Sequence, residues 1–280
     1  LAVVDLAAGE VTAVIGLGFK DHMQPGNMLD ASDRDGAINF GNWPALGMYQ
    51  PDAIGAYAVG GETYLVTANE GDARDYDGYS EEARVEDLTL DAEAFPNAAE
   101  LQAEEALGRL KTTLAHGDTD GDGDFDVIYS FGGRSFSIWD SAGNLVFDSG
   151  DEIARITAEQ YPDGFNSSGE NETFDERSDD KGSEPEALVI AELDGRTYLF
   201  LGLERIGGIM IYDISDPTAP AFIEYVNNRD FNAATEAAGD LAPEGLVVVP
   251  AAESPTGAPL LIVANEFSGT TTVYEIVAGM

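Results

Sequence analysis

Cysteine is absent from this 280-residue sequence, and histidine occurs only as His22 and His116. Without cysteine there is no disulfide, no thiolate metal site and no cysteine nucleophile. Two histidines are too few for a histidine-rich zinc site, and they make a Ser-His-Asp triad hard to assemble. The composition therefore favours cations with oxygen ligands, such as Ca2+ and Mg2+.

Basic residues are also scarce. The chain has 13 Lys and Arg against 53 Asp and Glu, which gives a formal net charge of −40 and a sequence pI near 4.1. Nucleic acids and anionic lipids are bound through Lys and Arg, so we expect neither as a partner. Divalent cations are the expected partners, and a halophilic or marine surface would explain the same charge.

Long apolar runs are missing, so we expect no direct insertion into a membrane. The opening "LAVVDLAAGEVTAVIGLG" has no basic region and no cleavage-site pattern, and it is typical of a strand, a turn and a second strand. We expect a chain that starts within a sheet of a longer protein. The 44% apolar residues suffice for a sizeable core, and we predict one domain over 1–280 or part of one.

A repeated hairpin is the clearest pattern in the chain. Each copy has Pro, an acid, a small residue and an aliphatic residue, then two strands and a Glu. The Pro-to-Glu separation is 19 residues in two copies and 23 in the third, with the extra residues in a turn. The copies are "QPDAIGAYAVGGETYLVTANEGD" (50–72), "EPEALVIAELDGRTYLFLGLERIGG" (184–208) and "APEGLVVVPAAESPTGAPLLIVANEFSG" (242–269).

Further strands are expected over 208–217 and 270–276, and 125–151 is typical of a three-stranded unit. A short helix is expected within 91–110. Long polar insertions separate the units near 18–49, 71–110 and 151–183. The composition of 165–184, rich in Asn, Ser, Gly and Asp, is typical of disorder.

We therefore predict an all-β fold. Repeated units of this size indicate a β-propeller of four-stranded blades with long inter-blade insertions. The alternative is a β-sandwich, which gives no reason for the same acid to recur in each hairpin.

Several segments resemble the choice-of-anchor I family. They are "LDASDRDGAINF", "GMYQPDAI", "YLVTANEGDARDY", "IYSFGGRSFSIWD", "RSDDKGSEPE", "GLERIGGIMIYDISDP" and "ANEFSGTTTVYEI". The resemblance implies a bacterial β-propeller protein that is secreted, periplasmic or attached to the cell surface by a variable anchor. Because members of the family carry further blades upstream, it also implies that this chain is the C-terminal part of a larger propeller of about seven blades. Some similar proteins are named atypical alkaline phosphatases, and others are likened to mesenchyme-specific cell-surface glycoproteins.

An aspartate-rich loop, "GDTDGDGDFD" over 117–126, is the first candidate site. The D-x-D-x-D-G spacing lets alternate side chains of a tight loop converge on one Ca2+ ion. The alternative is a solvated Asp-Gly turn that binds no ion. Tyr129 stands where an EF-hand has its bidentate Glu, so the loop is not an EF-hand. The expected ligands are Asp118, Asp120, Asp122, Asp124 and Asp126.

The repeated acids are the second candidate site. If the blades are equivalent, these acids form rings around one end of the axis and could bind a metal ion. Alternatively, each caps a turn or pairs with an arginine between blades. The acids are Asp52 with Glu70, Glu186 with Glu204, and Glu244 with Glu266.

A catalytic set would combine Glu70 and Asp72 with Arg74 and Arg205, in which an arginine orients a phosphate and a metal activates water. Arg177 and Lys181 belong to a similar mixed-charge segment. The same charges could form a purely structural network. His22 and His116 lie in loops, where histidines are usually solvated.

Two functions follow from these patterns. The first is a calcium-binding secreted or surface module with a structural, adhesive or assembly role, through self-association or a surface partner. The second is a metal-dependent phosphoester hydrolase, similar to an alkaline phosphatase or phytase, for which no nucleophile or base is identifiable.

Overall fold

The computed structural model describes residues 1–277, so the last three residues of the predicted domain lie outside the described part. Strands dominate, and they form separate sheets, none of which closes into a barrel within 1–277. The all-β prediction is confirmed. No helix in the described part of the chain is both long and apolar enough to span a bilayer.

Two sheets are formed early in the chain. The first is an antiparallel pair, β1 (Ala2–Asp5) and β2 (Glu10–Val14). The second has five strands in the order β3-β4-β11-β10-β9, with β4 and β11 parallel and the other pairs antiparallel. Its strands are β3 (Phe19–Asp21), β4 (Ala45–Met48), β9 (Glu82–Arg84), β10 (Lys111–Thr113) and β11 (Ile128–Phe131).

The first repeated hairpin, β5 (Ala53–Val59) and β6 (Glu62–Asn69), is completed by β12 (Ser135–Asp140) and β13 (Leu145–Asp148). This antiparallel sheet has the order β13-β12-β6-β5. The chain between β6 and β12 contributes three strands to the five-stranded sheet and also forms the small pair β7 (Asp75–Tyr76) and β8 (Tyr79–Ser80). The first hairpin is thus separated from the rest of its own sheet by three strands of the five-stranded sheet.

The second and third hairpins form consecutive antiparallel sheets. One consists of β14 (Pro185–Leu193), β15 (Arg196–Leu203), β16 (Ile209–Asp213) and β17 (Ala221–Val226). The other consists of β18 (Pro243–Val249), β19 (Leu260–Asn265) and β20 (Thr270–Glu275). These bounds confirm the predicted hairpins and the strands that follow them.

The first strands of the repeated hairpins are neighbours, because β14 contacts β5 and β6 on one side and β18 on the other. Apolar side chains fill both junctions. Phe136, Leu199 and Tyr212 are fully buried in the larger core, between the sheets of the first and second hairpins. Phe200 and Leu261 belong to the smaller core, between the second and third. The sheets are therefore stacked in chain order, while the propeller itself stays a prediction.

The helices are short: α1 (Ala98–Leu101), α2 (Glu152–Gln160) and the 3-10 turns Val85–Asp87, Pro162–Gly164 and Thr235–Ala237. The helix expected within 91–110 is confirmed as α1. Helix α2 was not predicted from the sequence; its amphipathic pattern buries Ile153 at the larger core.

Two sequence-based interpretations were wrong. The segment 125–151 is not one three-stranded unit, because β11 pairs with β4 and β10 whereas β12 pairs with β6. The segment 165–184 is not disordered. Arg134, itself buried, donates to the carbonyl oxygens of Ser178 at 2.9 Å and Asp180 at 2.7 Å. Such bonds satisfy polar backbone that would otherwise favour water.

Candidate functional site

The repeated hairpins share an unusual backbone turn just before their first strand. The residue preceding the repeated proline has a positive φ in every copy: Gln50 (40°), Glu184 (55°) and Ala242 (59°). Its carbonyl group accepts a hydrogen bond from the chain that follows the second strand, from the N–H of Gly71, Glu204 and Glu266 respectively. Both ends of each hairpin are thereby held together, which places the repeated acids at the same edge.

Acidic side chains from the first two hairpins converge at this edge. Carboxylate oxygens of Asp52, Glu70 and Glu186 lie within 4.8 Å of one another, and those of Glu70, Glu184 and Glu204 do the same. We call these five residues the carboxylate cluster. Glu244 of the third hairpin lies beside Glu186, whereas Glu266 is exposed and belongs to neither group among residues 1–277.

Glu184 is the fully buried member of the cluster, and three cations surround it. Its carboxylate oxygens lie 2.6 Å from Arg177, 3.1 Å from Arg205 and 3.3 Å from Lys181. Burial alone would favour the neutral acid. The three cations outweigh that effect and lower the pKa of Glu184 to about 2, so this group is ionised.

Three other acids of the cluster, Glu70, Glu186 and Glu204, hold protons more tightly than usual. Burial, together with Glu204, Glu70 and Glu244, raises the pKa of Glu186 to about 9. Burial and Glu184 likewise raise the pKa values of Glu70 and Glu204 to about 7, against the opposing effect of Lys181 and Arg205. The Oε2 atom of Glu186 is buried without a hydrogen-bond partner among the described residues. These oxygens suit a hard cation, which would replace the bound protons.

An open cleft of about 240 Å³ adjoins the cluster. Asp72 and Arg205, both from the predicted catalytic set, line it together with Arg177, Lys181 and Lys111. Glu70 reaches the same region through an ion pair with Lys181. The structure therefore brings three of the four predicted catalytic residues to one place.

Arg74 does not join them. Its side chain is 55% exposed and pairs with Glu81, donating from Nη2 at 2.7 Å and from Nε at 3.1 Å. This bond and the resulting Coulomb attraction lower the pKa of Glu81 to about 2. In this position Arg74 fixes the loop that precedes β9.

The aspartate-rich loop joins β10 to β11, far in sequence from the repeated hairpins. Carboxylate oxygens of Asp118, Asp120 and Asp122 lie within 4.8 Å of one another, and all three side chains are exposed. Asp118 also accepts hydrogen bonds from the backbone N–H groups of Gly121 at 2.7 Å and Gly123 at 3.1 Å. Both glycines have positive φ, as a turn this tight requires.

The remaining aspartates of the loop face a second group. Asp124 and Asp126 meet Asp91 with carboxylate oxygens within 4.8 Å of one another. Burial and the neighbouring carboxylates, first Asp122, raise the pKa of Asp124 to about 6. Oxygen ligands at such separations fit Ca2+, whose bonds to oxygen are about 2.3–2.6 Å long. The five aspartates of the loop thus belong to two sets of three carboxylates, the second of which Asp91 completes.

The histidines occupy different environments. His116 is exposed, as expected, whereas His22 is buried and the expectation of a solvated side chain was wrong. Its Nδ1 bonds to the carbonyl oxygen of Asn27 at 2.8 Å. Burial and the nearby Lys20 and Arg134 lower its pKa to about 3, so the ring is neutral.

Sequence reasoning missed Glu184 and Asp91. The position of Glu184, immediately before a repeated proline, could have identified it as part of the hairpin turn. Asp91 carried no such signal, because its approach to Asp126 depends on backbone bonds between 89–91 and Phe125.

The chain is similar to known proteins. The profile of the choice-of-anchor I domain matches residues 1–217, which ends before the third hairpin. Gigasin-3a of Magallana gigas is 31% identical over 194 residues, covering 63% of this chain and 66% of that protein. The mesenchyme-specific cell surface glycoprotein of Strongylocentrotus purpuratus is 28% identical over 226 residues, covering 68% of this chain and 29% of that protein. The chain thus spans just under two thirds of the first relative and less than a third of the second. It belongs to the choice-of-anchor I family.

Proposed function

We propose that this chain is a calcium-binding β-propeller module of a secreted or cell-surface protein, with a structural, adhesive or assembly role. The observation that carries the proposal is the convergence of Asp118, Asp120 and Asp122 within 4.8 Å in an exposed loop. Carboxylates this close repel one another, and a divalent cation removes that repulsion. The net charge of −40 favours cations over the whole surface.

The position of the loop supports a structural role for the ion. The segment 117–126 packs on the inserted segment before α1, where the N–H of Asp91 donates to the carbonyl of Phe125 at 3.0 Å. A Ca2+ ion between Asp91, Asp124 and Asp126 would therefore join two segments of the insertion. Such an ion stabilises the folded state by binding it in preference to the unfolded chain.

The surface location rests on the comparisons. The sea urchin relative is named a cell surface glycoprotein, and the chain shares 28% identity with it over 226 residues. The propeller arrangement is supported by the stacking of β5, β14 and β18 as neighbours. In folds built from repeated units, each unit contacts its neighbours in chain order.

Thermal unfolding with and without calcium tests the proposal. Protein treated with EDTA and returned to micromolar Ca2+ is expected to melt at a higher temperature than protein kept in EDTA. Bulk NaCl at equal ionic strength is the control, because it screens repulsion without occupying a site. Equal melting temperatures with and without Ca2+ would contradict the structural role of the ion.

A second candidate function is metal-dependent phosphoester hydrolysis. The placement of Asp72 and Arg205 on one cleft, beside the carboxylate cluster, favours it. There a metal would be held by carboxylates such as Glu70 and Glu186, and it would supply activated water. We expect turnover of p-nitrophenyl phosphate that requires Ca2+. Turnover should be lost in Glu70→Gln and retained in the exposed control Asp75→Asn. Equal turnover in both variants would exclude the carboxylate cluster as the site of hydrolysis.

A further inference from the structure

The basic residues of the chain are concentrated in one place. Four of the 13 Lys and Arg residues line the cleft of about 240 Å³. They are Lys111, Arg177, Lys181 and Arg205, and their side chains are 22%, 21%, 10% and 34% exposed. In a chain with a net charge of −40, this is an exceptional local density of hydrogen-bond donors.

Acidic partners hold these cations in fixed positions. Glu184 binds Arg177 through one carboxylate oxygen and Arg205 through the other, and Lys181 also pairs with it. Asp180 pairs with Lys111 at 3.1 Å and with Arg177 at 2.7 Å. Cations oriented before a ligand arrives lose little conformational entropy on binding it.

Donors remain after these bonds are counted. Arg177 uses Nε and Nη2 for Glu184 and Nη2 also for Asp180, and Arg205 uses Nε for Glu184 and Nη1 for Glu204 at 2.9 Å. Arg177 Nη1 and Arg205 Nη2 therefore have no hydrogen-bond partner among residues 1–277. Two of the three acids that line the cleft are engaged, because Asp180 is shared by two cations and Glu82 pairs with Lys111 at 3.0 Å. The third, Asp72, is exposed and forms no ion pair among the described residues. Free donors therefore remain in the cleft at Arg177 and Arg205.

We propose that this cleft binds a tetrahedral oxyanion, a phosphate or sulfate group, between Arg177 and Arg205. Guanidinium groups present paired N–H donors that match such oxygens, and the two lysines add charge without a fixed direction. The group can be a free ion or the head of a monoester. Binding requires neither the calcium ion of the aspartate-rich loop nor turnover of an ester.

Isothermal titration of EDTA-treated protein with inorganic phosphate, sulfate and glycerol 2-phosphate tests the proposal. Saturable binding of phosphate at one site is expected, in NaCl that keeps ionic strength constant. Tighter binding of glycerol 2-phosphate than of phosphate would assign the site to a monoester, and equal binding would assign it to the free ion. Absence of saturable heat with all three anions would overturn the proposal.

A conservative variant locates the site. Arg205→Lys keeps a cation beside Glu184 but removes the free Nη2 donor, so the affinity for phosphate is expected to fall about tenfold, the equivalent of one charge-assisted hydrogen bond. Arg196→Lys is the matched control, because Arg196 is 65% exposed and pairs with Asp213 outside the cleft. Circular dichroism of both variants verifies their folding, and Arg177→Lys repeats the test if Arg205→Lys does not fold. Equal phosphate affinity in the folded cleft variant and the control would contradict binding in this cleft.

Discussion

The ammonium group of Lys181 donates a hydrogen bond to Glu70 across a separation of 111 residues, and it also lies 3.3 Å from Glu184. One cation thereby links the end of the first hairpin to the start of the second. The link is largely shielded from water, since the side chains of Lys181 and Glu70 are 10% and 11% exposed. The polar groups at this edge are therefore part of the fold as well as a candidate site.

Replacing Lys181 with Met is expected to destabilise the protein by about 3 kcal/mol, because the buried Glu70 loses its cationic partner, whereas Glu184 keeps Arg177 and Arg205. Chemical denaturation measures the change. Arg196→Met is the matched control, since the exposed pair of Arg196 with Asp213 is expected to contribute less than about 1 kcal/mol. Losses of similar size in the two variants would show that the Lys181 pairs contribute no more than a surface ion pair.

Stability is expected to fall as pH rises from about 5 to 9. The pKa values of Glu70, Glu204 and Glu186 are raised to about 7, 7 and 9, so the folded protein keeps protons that the unfolded chain releases near pH 4.3. The stability associated with these protons is complete below that pH and is lost as the folded pKa values are passed. Denaturation at pH 5, 7 and 9 measures this slope.

The variant Glu186→Gln assigns the slope to the cluster. A neutral amide avoids the cost of ionisation at this position. At pH 9 the free energy of unfolding of the variant should therefore exceed that of the unmodified protein by on the order of 1 kcal/mol, and at pH 5 the difference should be small. The gain is modest because the partly exposed carboxylate of Glu186 keeps some of its hydration. Glu192→Gln is the matched control, because Glu192 is exposed on the same strand, β14. An identical pH dependence in both variants would refute the assignment.

The positive φ of Ala242 predicts that glycine is tolerated better at this position than within a strand. An alanine at φ 59° is strained, and glycine adopts this conformation without the clash of a Cβ atom. Ala242→Gly is expected to be more stable than Ala264→Gly, a change within the extended strand β19, by about 1 kcal/mol. Thermal unfolding compares the two variants. A melting temperature of Ala242→Gly below that of Ala264→Gly would contradict strain at this turn.

The repeated hairpins could be predicted because their pattern is local. Proline, an acid and alternating apolar residues recur at a fixed spacing, and each hairpin pairs within itself. Equivalence of the copies also predicted that Asp52, Glu70, Glu186 and Glu204 would meet. Equivalence does not predict the position of the acid in the third copy, because Glu266 has the same sequence position but is exposed.

The five-stranded sheet could not be predicted, because its pairing joins distant segments. Strand β4 pairs in parallel with β11, more than 80 residues later, and no local pattern specifies that register. The order of 165–184 likewise depends on Arg134, which reaches it from another part of the chain. Glu184 is different, because its position before a repeated proline could have identified it, whereas its contact with Arg205 across the hairpin could not.

Titration calorimetry with Ca2+ measures whether the aspartate-rich loop binds calcium. The unmodified protein is compared with Asp118→Asn/Asp122→Asn and with the control Asp75→Asn/Asp77→Asn, which removes equal charge from an exposed turn. We expect one saturable Ca2+ site at Asp118, Asp120 and Asp122, which the loop variant loses and the control retains. Unchanged binding in the loop variant, or equal losses in both variants, would contradict calcium binding by this loop.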